Sequence, residues 1–222
     1  MLDSILELSF ISSMVRWLHV RAGKAFEIAY NGSTYSLHGK PVGLLVDQGH
    51  TSNGAAGTAF VLIGVGGILV LWLRSRNNTR LTRGLHTFWL VMTVLSALLS
   101  LAALIYVFVL TGKHAGQRID EGVASQLGNR PYPDYVAYPL EFWTPENWFD
   151  AVLKLDLVEA SDRGAIDLRV AVMRGWRYNL IPLFILGVAV SALAWWDASR
   201  RREDVRYGAR DGELAMKQDG RM

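Results

Sequence analysis

The chain contains no cysteine. Disulfides, thiolate metal sites, covalent haem attachment and cysteine nucleophiles are thereby excluded. Charge is scarce too: 19% of the 222 residues are Asp, Glu, Lys or Arg, while 51% are hydrophobic, and a soluble domain ordinarily carries about a quarter charged residues. The scarcity is uneven. No Asp, Glu, Lys or Arg stands between Asp47 and Arg74, between Arg83 and Lys113, or between Arg177 and Asp197. Each interval holds at least about 18 mainly apolar residues, enough to cross a hydrocarbon core of about 30 Å. An ordinary cytosolic enzyme is excluded. The formal net charge of +3 is too small and too dispersed for a nucleic-acid partner.

What is present points to an all-α membrane protein with three transmembrane helices, over 55–73, 85–110 and 178–196. The first carries Gly64, Gly66 and Gly67, which lipid tolerates and which let a neighbouring helix approach closely. The core of the second, WLVMTVLSALLSLAALIYVFVL, is the strongest apolar signal, long enough to tilt. The third has Pro182 in its first turns, where a lost hydrogen bond costs little. Trp72, Trp89, Trp176, Tyr178, Trp195 and Trp196 lie near the ends, as an interfacial aromatic belt requires.

Loop charge sets the orientation. The connector 74–84 carries Arg74, Arg76, Arg80 and Arg83 without an acid, and the tail 197–222 opens with Arg200, Arg201 and Arg202 close together. The loop 111–177 is mixed, with eight basic and ten acidic residues from Gly112 onward. The positive-inside rule then makes the connector and tail cytosolic, and residues 1–54 and the 111–177 loop lumenal or extracellular. Of the two sequons, Asn31-Gly32-Ser33 and Asn77-Asn78-Thr79, only Asn31 falls on the side where glycosylation occurs.

Residues 1–20 begin acidic and are interrupted by Asp3, Glu7 and Arg16, which is not a signal-peptide pattern. An amphipathic helix along the membrane or against the lumenal loop is expected. The following AFEIAYNGSTYSLHG alternates around Asn31-Gly32, a hairpin signal. In the large loop, 115–127 reads as an amphipathic helix with Ile119, Val123 and Leu127 on one face. Pro131, Pro133, Pro139 and Pro145 demand an extended stretch ending at Thr144-Pro145-Glu146, a helix start. That helix is expected over 145–157, with Trp148, Val152 and Leu155 against the membrane surface or a partner. Ser161-Asp162 starts another, able to continue into the third span.

Chemistry is sparse. His19, His38, His50, His86 and His114 form no pair at helical ligand spacing, so no metal or cofactor is expected. No acid or base lies inside a span, which argues against an ion pathway. Asp156 and Glu159 read as solvated acids. Gly57, Gly64 and Gly67, at spacings of seven and three, form a candidate helix-packing face. An alternative reading is a small membrane enzyme or lipid-handling protein with its site around Asp134, Glu141 and Trp143.

Three segments, NNTRLTRGLHTFWLVMTVLSALLSLAALIYVF, NRPYPDYVAYPLEFWTP and RGWRYNLIPLFILGVAVSALAWW, give the chain a resemblance to the dual oxidase maturation factors over about residues 55–200. The resemblance implies a non-catalytic accessory protein, a maturation or trafficking factor for an NADPH-oxidase-type membrane enzyme. It also implies residence in the endoplasmic reticulum or plasma membrane. The chain departs from that family in having three spans instead of five, and in lacking the cysteines of the animal lumenal loops.

Overall fold

The computed structural model describes residues 1–21, 24–76, 79–132 and 143–219; the side chains of Arg21 and of 202–219 lie outside the description. Three helical rods are long and apolar enough to cross a membrane: Asp47–Arg76, Arg80–Lys113 and Ala160–Arg201. This suits an integral membrane protein. The first rod combines α2 (Asp47–Gly57), a wider π-helical stretch (Thr58–Val65) and α3 (Gly66–Arg76). The second is α4 (Arg80–Lys113), and the third belongs to α7 (Ala160–Asp219), which extends 60 residues. The rods start and stop where local chemistry allows. Thr79 caps α4 by accepting from the Thr82 N–H, while the Thr82 hydroxyl accepts from the Thr79 N–H at 3.0 Å. Such reciprocal bonds satisfy two of the donors every helix start leaves open.

The rods pack through small residues. Gly187 of α7 lies against Ala97 of α4, 3.7 Å from where a Cβ would stand. The Thr93 hydroxyl donates to Ser191 at 3.2 Å, and the Trp195 indole donates to the Leu90 carbonyl at 3.2 Å. Gly67 is buried beneath the Trp89 ring, whose N–H donates to the Ile63 carbonyl in the π-helical stretch. The outward faces remain apolar, with Val61, Ile68, Leu98, Ile105, Val109 and Leu193 exposed.

The described residues of 1–54 and 111–177 fold together at one end of this bundle, and Arg76 and Thr79 lie at the other. Strands β1 (Ala25–Tyr30) and β2 (Ser33–His38) pair antiparallel around Asn31 and Gly32, both at positive φ. Ile28 bridges to Leu157 and Leu44 to Trp143, which stitches the N-terminal region to the distant loop. The extended stretch expected among the prolines falls mainly on 133–142, outside the described residues. Helix α6 (Pro145–Val152) is capped by Thr144, with Pro145 in its first turn. It ends sooner than the expected 157, and Trp148, Val152 and Leu155 are buried in the chain's own core, not turned to a membrane surface. Trp148 donates to the Gly39 carbonyl at 3.2 Å, and Asn147 donates to the Thr111 carbonyl near the end of α4 at 3.0 Å. Helix α5 covers only Glu121–Gln126, because Asp120 caps it and Gly128 turns the chain at positive φ. Ile119 and Leu127 are buried but Val123 is exposed, so the expected face of three is incomplete.

Helix α1 (Leu2–Arg21) runs antiparallel along α7. Asn179 meets Asp3 and Glu7, Gly175 meets Phe10, and Arg169 meets Ser13 and Trp17. Met1, just before it, reaches the apolar rod, with its side chain against Gly64. Helix α1 packs along α7, including the part of α7 that belongs to the 111–177 loop.

Substituting Gly67→Leu should force the Trp89 ring aside, because a Cβ there would stand 2.8 Å from it; the expected loss is about 1–3 kcal/mol. Gly57→Leu, with nothing within 4 Å, should leave stability nearly unchanged. Thermal unfolding of both variants in one detergent checks the contrast.

Candidate functional site

Polar groups converge where α1 meets α7, and sequence spacing did not reveal them. Glu7 is fully buried. The Asn179 amide donates to its Oε2 at 2.9 Å and more weakly to the Asp3 carbonyl at 3.4 Å. The other Glu7 oxygen has no hydrogen bond among the described residues; the Trp176 indole lies beside the carboxyl and favours its charge without a well-formed bond. Desolvation dominates, raising the Glu7 pKa to about 8; the neighbouring Asp3 charge pushes the same way. Asp3 is itself shifted upward by burial. Glu7 reads in sequence as an interruption of an apolar face. The signal missed was Asn179, 172 residues away.

A second buried acid stands on the opposite flank of α7. Glu146 forms an ion pair with Arg177 at 3.1 Å and lies 3.6 Å from Arg174, which also donates to Asp150 at 2.7 Å. Burial still raises the Glu146 pKa despite both guanidinium groups. The pair of arginines thus ties α6 to α7. Removing either partner would strand buried charge, a larger effect than the worth of an exposed ion pair.

The residues singled out in sequence are not brought together. Asn31 is exposed at the hairpin tip. Gly64 faces Met1, Gly67 faces Trp89, and Gly57 faces open space. Asp134 and Glu141 lie outside the described residues, as does Asn77. Trp143 is buried and packs edge-on to Trp148 at 5.2 Å, which makes it a core side chain. Asp156 and Glu159 are exposed. His86 is buried at the connector end, where Arg74 donates to it at 2.7 Å. No group of three or more metal-ligating side chains occurs among the described residues. No protein-family model, curated protein or solved structure matches the chain.

The Glu7 site predicts a pH dependence of definite sign. The folded state holds the proton more tightly than the unfolded chain, so this group's contribution is complete below about 4.5. It falls as pH rises toward about 8, by up to about 1.4 kcal/mol per pH unit. Glu7→Gln keeps an acceptor for Asn179 and removes the titration. Its unfolding temperature should decline less than that of the parent across this window, and parallel declines would refute the assignment.

Proposed function

We propose that this chain is a multi-pass membrane accessory protein that acts by binding a membrane-protein partner. On the strength of its sequence resemblance, it serves as a maturation or trafficking factor for an NADPH-oxidase-type enzyme in the endoplasmic reticulum or plasma membrane. The observation that carries this reading is the continuity of α7. One helix leaves the folded unit built from residues 1–54 and 111–177, traverses the apolar bundle and continues to Asp219. A partner gripped by the folded unit is thereby held at a fixed distance and angle from the apolar helices. A protein that chaperones a membrane enzyme needs such a rigid mount.

The charges support an orientation with the folded unit lumenal and the connector cytosolic. At the connector end, Arg76 stacks over Trp72 at 5.4 Å and Arg200 over Trp196 at 4.2 Å. Cations held on interfacial aromatics suit a leaflet rich in anionic headgroups. Polar side chains of the helices bond between the rods, Thr93 to Ser191 and Trp195 to the Leu90 carbonyl. Their outward faces are thus left to lipid or to a partner helix. Gly57 remains open for such a helix, whereas Gly64 and Gly67 are already covered from within.

Two measurements check this. Asn31 should carry an N-glycan when the chain is made in microsomes, and Asn31→Gln should abolish the glycosidase-sensitive mass. Loss of that mass on Asn77→Gln instead would reverse the orientation. Affinity purification from membranes should recover a stoichiometric flavin- or haem-containing membrane enzyme. Gly57→Leu should lower that recovery at equal expression, and a chain that purifies alone would overturn the accessory role.

A further inference from the structure

Between α1 and α2 lies an open groove of about 620 Å³, within the roughly 300–1,000 Å³ of sites that hold small ligands. Its wall is apolar, formed by Ile11, Met14, Val15, Leu18 and Leu44. Its rim carries two cations, Arg16 and Lys40, beside His19 and His50, and among the described lining residues there is no Asp or Glu. Gln48 also lines it, is 2% exposed, and has a side-chain oxygen without a partner among the described residues. His19 Nδ1 lies 2.9 Å from the Val15 carbonyl. A carbonyl only accepts, so the bond places the proton on Nδ1 and leaves Nε2 as the ring's other polar atom. The groove stands at the root of the first apolar rod, since α2 passes directly into the Thr58–Val65 stretch.

We infer that this groove binds a single-chain anionic phospholipid drawn from the adjoining leaflet. The acyl chain lies on Ile11, Val15 and Leu18, and the phosphate sits between Arg16 and Lys40. Three features select this ligand. An apolar wall beside a membrane accepts a hydrocarbon chain without desolvating polar groups. The two cations of the rim, Arg16 and Lys40, complement a phosphate, which accepts charge-assisted hydrogen bonds. The volume of about 620 Å³ admits a single acyl chain. The groove lies on the folded unit itself, and its test requires no partner protein.

The full chain in a maltoside detergent can be titrated with 1-oleoyl lysophosphatidic acid and bound species counted by native mass spectrometry. One lipid per chain is expected. The zwitterionic oleoyl lysophosphatidylcholine, with the same chain, should bind at least about tenfold more weakly, as should the parent lipid to an Arg16→Ala/Lys40→Ala variant. Glycerol 3-phosphate, which lacks the chain, should not bind detectably. Val15→Trp should fill the groove and abolish binding; the double variant keeps the test decisive if Val15→Trp unfolds. Equal binding of the two lipids with no effect of the double variant would overturn the proposal. So would glycerol 3-phosphate binding as well as the lipid, or the absence of any one-to-one complex.

Discussion

The antiparallel packing of α1, α4 and the folded unit onto α7 is the contact on which everything else depends. Different stretches of α7 face different neighbours. Near Gly187 and Ser191 it meets α4, near Asn179 and Gly175 it meets α1, and near Arg174 and Arg177 it meets α6. The main core is continuous from Ile11 and Met14 through Phe26 and Trp148 to Trp176 and Leu183. Apolar helix and folded unit are therefore one packed body and not two domains joined by a linker. Pro182 does not break this helix, and it lies at an exposed position.

Burial at the bundle end is managed by unequal means. Asn147 covers a carbonyl at the end of α4 that no helical N–H can reach, and Trp148 serves Gly39 in the same way. These are satisfied groups in a core, where an unpaired one would cost about 1–3 kcal/mol. Glu7 and Glu146 follow a different logic. Each has one oxygen engaged and one without a hydrogen bond among the described residues. Glu146 is held by two arginines, so its charge has compensation. Glu7 has an amide and an indole nearby and the Asp3 charge opposing its own, so burial decides its state and the neutral acid is favoured.

Much of the fold was legible because it obeys local rules. Charge-free intervals located three long apolar helices, Thr144-Pro145 gave the start of α6, and Asn31-Gly32 gave the hairpin turn. Helix ends were less legible. The first rod begins at Asp47, well before the apolar run, because α2 is held by packing on α1 and α4 and not by its own composition. Helix α5 shrank because Asp120 competes for the backbone as a cap. What no local pattern encodes is pairing across the chain. Glu7 with Asn179, Trp148 with Gly39, and the groove between α1 and α2 each join residues remote in sequence, and none carries a spacing that a scan along the chain can detect.

The glycines show why spacing alone misjudges a helix face. Gly57, Gly64 and Gly67 share a side by count, yet the π-helical stretch between Thr58 and Val65 changes the turn that the count assumes. There the Gly66 N–H donates to Val61, five residues back, so the wider turn rotates α3 relative to α2. Gly67 consequently meets Trp89 and Gly64 meets Met1, while Gly57 meets nothing. The same widened turn presents the Ile63 carbonyl to the Trp89 indole. One irregularity in the first rod thus separates a face turned inward, which fixes the bundle, from a face left open above it. Of these three glycines only Gly57 is left open for a close backbone approach by another helix, because the chain itself already covers Gly64 and Gly67.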